Sequence, residues 1–167
     1  MAIKQKSEKD KLKLELLNSL AQIDFSKKFY TYYEKIRNHN QPNDLDEEDY
    51  VAAFKNCDIE VTYNKSERFF TYEENNQIHK LKLKLAFAYS TVELILEFET
   101  KHGYIGGVLT GLAMDAAKLS DPKFTYSPPY PKFPFCNMEE LQDIIKFSIS
   151  LLDEIKQAIK LNPNLNN

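Results

Sequence analysis

Few residues in this chain stand at spacings that could do chemistry, and each set can be judged on what its chemistry demands. All four glycines, Gly103, Gly106, Gly107 and Gly111, fall in one window, GYIGGVLTG. Glycines that free backbone amides at a helix start can cradle phosphate, but that use needs a GxGxxG or GxxxxGKS/T spacing. Neither is present, and the first lysine downstream is Lys118. The window reads instead as a strand with a bulge at Gly106–Gly107, where missing side chains admit a helix or another backbone. Asp44, Asp46 and Glu48 alternate like calcium ligands. A calcium loop requires Gly at its sixth position and Glu at its twelfth, and here those places hold Asp49 and Lys55. Glu93, Glu97 and Glu99 are spaced for acid–base work, but Lys80, Lys82 and Lys84 lie in the segment expected to face them. Solvated carboxylates beside lysines lack the apolar surroundings that raise a carboxyl pKa. His39, His79 and His102 share no ligand spacing with each other or with Cys57 and Cys136. No serine sits in a nucleophile elbow. The expectation is a chain that is not an enzyme and carries no cofactor or metal.

What remains is suited to contact with a partner. Residues 38–49, NHNQPNDLDEED, read as a loop whose carboxylates Asp44, Asp46, Glu47, Glu48 and Asp49 offer a negative surface to a basic protein. Residues 121–136, DPKFTYSPPYPKFPFC, hold Pro122, Pro128, Pro129, Pro131 and Pro134, a density that excludes regular structure. This segment is expected to run extended over the surface, anchored by Phe124, Tyr126, Tyr130, Phe133 and Phe135. Tyr126 and Tyr130, stiffened by proline, would give contact area at low entropic cost.

The elements that must position these groups follow from periodicity. Residues 7–38 read as helix, with Ser7 as N-cap and Asp10 three residues on. Leu12, Leu16, Leu20 and Ile23 form one stripe. Phe25, Phe29, Tyr33 and Ile36 form another in shifted phase, so either a bent helix or a helical hairpin fits, with Asp24 or Ser26 capping the second part. A short helix over Glu47–Asn56 would bury Val51, Ala52 and Phe54. Strands are expected at Ile59–Tyr63, Glu67–Tyr72, Lys80–Tyr89, Thr91–Thr100 and Tyr104–Leu109, with turns at Asn64–Ser66 and Glu73–Gln77. In Lys80–Tyr89, Leu81, Leu83, Leu85, Phe87 and Tyr89 share one face; in Thr91–Thr100, Val92, Leu94, Leu96 and Phe98 do. Antiparallel pairing sets a lysine row beside a glutamate row on the solvated face. Residues 113–120 fit a helix or a strand end. Asn137 caps a helix over 138–160 with Leu141, Ile144, Ile145, Ser148, Leu151, Leu152, Ile155 and Ile159 on one stripe. The fold class is α+β: one domain over 1–167, an antiparallel four- to five-stranded meander over 59–109, packed on one face by the N-terminal and C-terminal helices. The other face would be open or partly covered by residues 121–136.

Composition narrows the partners. The chain has 167 residues, 43% hydrophobic and 28% charged, with ten Tyr, eleven Phe and no Trp. A domain of this size buries roughly 70% of its unfolded surface and needs no disulfide or metal to fold. Two cysteines without a motif read as reduced thiols of a cytoplasmic protein. The N-terminus has no apolar leader, and no run of apolar residues is long enough to span a membrane. Net charge is −3, with +4 in residues 1–41 and −7 beyond them. Only Arg37 and Arg68 stand against twenty lysines. Sequence-reading nucleic-acid binders rely on arginine forks, so direct nucleic-acid binding is not expected.

Over roughly residues 80–160 the chain resembles the small cytoplasmic immunity proteins of bacterial toxin–immunity systems. The resemblance lies in size, acidic balance, a strand hairpin followed by YIGGVLTGLA, then PPYPKFPF and a helix of the form MEELQDIIKFSISLLDEIKQAI. It implies a stoichiometric inhibitor that binds a cognate toxin domain, such as a basic nuclease, and blocks its active site. It carries over no catalytic residue. An adaptor or self-associating scaffold is the second expectation. A small-molecule-binding protein, or an enzyme without recognisable motif, is the third.

Overall fold

The computed structural model describes residues 7–74 and 80–166. The expected turn at Glu73–Gln77 lies partly, and His79 wholly, outside these residues. Helix α1 spans Glu8–Gln22 and opens with a complete capping box: the Ser7 hydroxyl accepts from Asp10 N, and the Asp10 carboxylate accepts from Ser7 N. Helix α2 spans Phe25–Ile36. The two are separated by Asp24, which takes the left-handed conformation at φ 54°, so the phase shift marks a break. Neither expected cap operates. Asp24 makes no side-chain cap, and the Ser26 hydroxyl donates to Ala113 O.

Helix α3 covers Glu47–Asn56 as expected, but it buries Ala53 and Phe54, while Val51 is 47% exposed. Its C-terminus explains why the first strand is short. Asp58 sits at φ 56°, Asp58 N donates to Lys55 O (3.0 Å) and Ile59 N donates to Phe54 O (3.0 Å). This is a Schellman closure. It uses residues 57–59 to end the helix, so β1 is only Thr62–Asn64. Strand β2 is Phe69–Glu74, β3 Leu81–Ala88, β4 Thr91–Thr100 and β5 Gly103–Val108.

These five strands form an antiparallel meander in the order β1-β2-β3-β4-β5. Burial alternates along β3 and β4 in opposite phase, and Leu83 pairs with Leu96 and Leu85 with Leu94 on the inner face. The outer face carries the charged rows: Lys84 meets Glu97 at 2.6 Å and Lys80 meets Glu99 at 3.5 Å. Lys82 reaches Glu73 of β2 instead (3.7 Å). The β4–β5 register runs unbroken from Ile95↔Val108 to Thr100↔Gly103, so no bulge exists at Gly106–Gly107. Glycine is needed there for another reason. Gly106 lies at φ +125°, and a Cβ on it would run into the Leu96 carbonyl oxygen.

The chain then enters helix α4, Leu109–Ser120, which settles residues 113–120 as helical. Residues 121–132 have no regular structure, and Phe133–Pro134 form a two-residue strand, β6, against Thr91 and Val92 of β4. Helix α5, Met138–Leu161, starts at the Asn137 cap, whose side chain accepts from Glu140 N (2.9 Å). Its whole predicted stripe is buried. α1 packs on α4 and α5, α2 on α4, and α3 on α5. Helices and inner sheet face share one continuous core. Phe124, Tyr126 and Phe133 pack on α2 rather than on the outer sheet face, and Phe135 packs on Tyr50 and Phe87. Tyr126 stacks on Tyr30 (4.1 Å) and Phe133 packs on Phe29 (5.1 Å). Apolar rings find partners on α2 that a face of lysines and glutamates cannot supply. Lys132 does reach that face, 3.6 Å from Glu93. Among the described residues, no helix is long and apolar enough to cross a membrane.

Candidate functional site

The acidic run is in large part the start of a helix. Asp46 has extended backbone, and its carboxylate accepts from Glu48 N (2.9 Å) and Asp49 N (3.1 Å). Asp49 returns a bond by accepting from Asp46 N (3.0 Å). Glu47, Glu48 and Asp49 form the first turn, where negative charge complements the helix dipole. Glu47 also accepts from the Tyr63 hydroxyl (2.9 Å), which ties α3 to β1. The loop expected over 38–49 therefore ends at Asp46. Within the run Asp44, Asp46, Glu47 and Glu48 are all exposed, but Asp46, Glu47 and Asp49 are held in structural hydrogen bonds.

This helix start forms one side of a cleft of about 1040 Å³. The opposite side is built by the β1–β2 and β3–β4 turns. The walls are aromatic: Tyr50 stacks on Phe87 (4.2 Å) and Tyr63 on Phe70 (4.4 Å). Asp46, Glu47 and Glu67 line it together with the cation Arg68. Burial first, then Asp46 and Asp49, hold the Tyr50 phenol above its ordinary pKa, so it stays neutral. Carboxylates beside aromatic faces suit the guanidinium or ammonium of a partner side chain.

Tyr89 stands at the lip of this cleft. Alternation places it on the inner face of the third strand, but β3 ends at Ala88 and Tyr89 lies in the turn, 97% exposed at φ 57°. A bulky residue in the left-handed region is uncommon. Arg68, in the neighbouring turn, shares that conformation at φ 56°. The apolar pattern hides Tyr89 because it continues one residue past the strand. The following Ser90–Thr91 is the available signal: Thr91 Oγ1 donates to Ala88 O (2.9 Å) and closes the turn.

Tyr126 and Tyr130 are not part of this cleft. Tyr126 lies on α2, and its hydroxyl donates to Glu34, which also accepts from Arg37 (2.8 Å). Those two bonds, Tyr126 first, hold the Glu34 carboxyl below its ordinary pKa. Tyr126 lines a second cleft of about 520 Å³ between α2, α4 and residues 121–126. Tyr130 is 71% exposed and lines neither cleft. The expected partner-binding set is thus divided between separate surfaces.

One grouping is not evident from the sequence. Cys136 Sγ donates to Glu140 Oε2 (3.0 Å), Cys136 N donates to the same oxygen (2.7 Å), and His39 Nδ1 lies 3.6 Å from it. The i, i+4 spacing across the α5 cap is the signal that could reveal it. The Glu140 bond, then burial, pushes the thiol pKa up, so it is held as a thiol and not as a nucleophilic thiolate. Among the described residues, no three His, Cys, Asp or Glu side chains are grouped to hold a metal ion. No protein-family model, curated protein or solved structure matches the chain.

Proposed function

We propose that this chain is a protein-binding module of the immunity type, which blocks a basic toxin domain by receiving its Lys or Arg side chains in the cleft between α3 and the β3–β4 turn. The observation that carries the reading is Tyr89, fully exposed at the rim of a cleft with neighbouring aromatic walls and an acidic lining. Tyrosine is among the residue types enriched at interface anchors, where a partner buries it. Carboxylates at the opposite rim steer a basic partner and set its orientation.

The test is rescue. The chain is co-expressed with the product of the adjoining reading frame, and surviving cells are counted. Survival that depends on the chain supports inhibition; growth unchanged by its presence, or turnover of a small substrate by the chain, overturns it. On the purified pair, Asp44→Asn, Glu48→Gln and Glu67→Gln together should slow association about three- to tenfold, with a weaker salt dependence. Tyr89→Ala should act on dissociation, speeding it about tenfold or more. Asp46 and Asp49 are unsuitable probes, because losing a helix cap costs about 1 kcal/mol of stability by itself.

A further inference from the structure

Tyr89 occupies a backbone position that tight turns normally give to glycine. The β3–β4 hairpin closes with the two-residue loop Tyr89–Ser90, between the paired Ala88 and Thr91. Tyr89 has φ 57°, and Ser90 is not in the positive region. A two-residue loop with positive φ at its first position alone favours glycine there, because a Cβ crowds the backbone. The chain does use glycine in this way at its other tight hairpin, where Gly103 ends the β4–β5 turn at φ +99°.

No contact within the fold offsets the conformation of Tyr89. Its side chain is 97% exposed and makes no hydrogen bond or ring contact among the described residues. The loop beneath it is nevertheless firmly held. Thr91 Oγ1 donates to Ala88 O (2.9 Å), and Phe135 N, from the segment after β6, donates to Ser90 O (3.1 Å). The ring is therefore carried outward on a braced turn. Strained backbone of this kind persists where its surroundings fix it, and it gathers at binding sites. A ring fixed in advance also loses little entropy when a partner buries it.

We propose that Tyr89 is a plug: its ring enters a closed, ring-sized pocket on the toxin domain, while the acidic lining of the cleft beside it meets basic side chains around the mouth of that pocket. The inference rests on the protein-binding reading and adds the shape of the partner, which is concave opposite the β3–β4 turn.

Two substitutions separate a plug from a flat contact. Each variant is followed as the free chain in urea melts, and by association and dissociation kinetics against the purified product of the adjoining reading frame. Tyr89→Asn keeps a side chain but tolerates positive φ. It should raise the urea midpoint of the free chain by roughly 0.2–0.5 M and speed dissociation about tenfold or more. Tyr89→Trp should also speed dissociation about tenfold or more, because a closed pocket excludes the larger ring, whereas a flat contact would gain area from it and dissociate more slowly. Unchanged dissociation in either variant, a tighter complex with Tyr89→Trp, or a lowered midpoint with Tyr89→Asn overturns the plug and leaves the protein-binding reading standing. Failure of the native chain to form any complex overturns that reading and the plug together.

Discussion

Gly106 is the residue at which the backbone tolerates least. Its φ of +125° disfavours any L side chain, and the Leu96 carbonyl blocks the space a Cβ would occupy. Gly106→Ala should destabilise by about 2–4 kcal/mol, from backbone strain and from the displaced ladder. Gly111 is the control: it lies in α4 without a positive φ, and a methyl group there would meet nothing within 4 Å. Gly111→Ala should stabilise by about 0.5–1 kcal/mol. Urea melts of the two variants check both signs, and equal effects would refute the distinction. The clustering of glycine is legible in the sequence. The reason for it is not, because φ at a paired strand position leaves no trace in residue order. Tyr89 misleads for a related reason: alternation reports which face a residue would take, not where the strand stops.

At the scale of elements, α5 is legible almost residue by residue, since a 24-residue helix repeats its apolar stripe often enough to leave no other phase. Leu151, 2% exposed in mid-stripe, makes the test: Leu151→Ala should cost about 2–5 kcal/mol in a denaturant melt. β1 is legible only in part, because residues 57–59 are taken by the closure of α3, a use that depends on Asp58 adopting a left-handed backbone. An ion pair of Lys156 with Glu74 joins α5 to β2. The Lys156 bond chiefly, joined by Tyr72, holds the Glu74 carboxyl below its ordinary value. A depressed carboxyl contributes stability that is present above its unfolded pKa and lost as pH falls through the folded one. The stability of the native chain should therefore fall on acidification below about pH 4.5, near the ordinary glutamate range. Glu74→Gln should flatten that limb by about 1 kcal/mol or less. An acid limb of unchanged slope in the variant would remove this pair from the account.

For the whole molecule, the sequence indicates an α+β fold with an antiparallel sheet packed by helices, and the described residues form that architecture. The candidate surfaces are less legible. An acidic run looks the same whether it is a solvated loop or the capped start of a helix, and residues 121–136 carry rings without stating which layer they will cover. Buried and half-buried tyrosines of α2 and β2 make the molecule sensitive to alkali. Burial first, then Asp115, pushes the Tyr30 phenol to about 12, and burial followed by Glu74 pushes Tyr72 to about 12. A raised phenol favours the neutral form in the fold, so its contribution is intact below the unfolded value near 10 and is lost as pH rises from about 10 to 12. Thermal melts should show the midpoint dropping through that interval, and Tyr30→Phe should lessen the drop. A midpoint independent of pH there would contradict the buried phenols.

The sheet's two borders have a bearing on how the molecule behaves in a crowded solution. A long, regular outer strand is a template on which another chain can pair, and from there grow a fibril. Here one border is β1, three residues long, and the other is β5, six residues long, in register with β4 but with Gly106 and Gly107 at φ +125° and +144°. Beyond the end of β5, β4 is met by β6, two residues long and ending in Pro134, which has no amide hydrogen to offer. An incoming strand would find no more than a few consecutive amides and carbonyls in line. The same glycines that β4–β5 pairing demands thereby make this border a poor template for an added strand, as expected of a sheet edge that discourages edge-to-edge pairing.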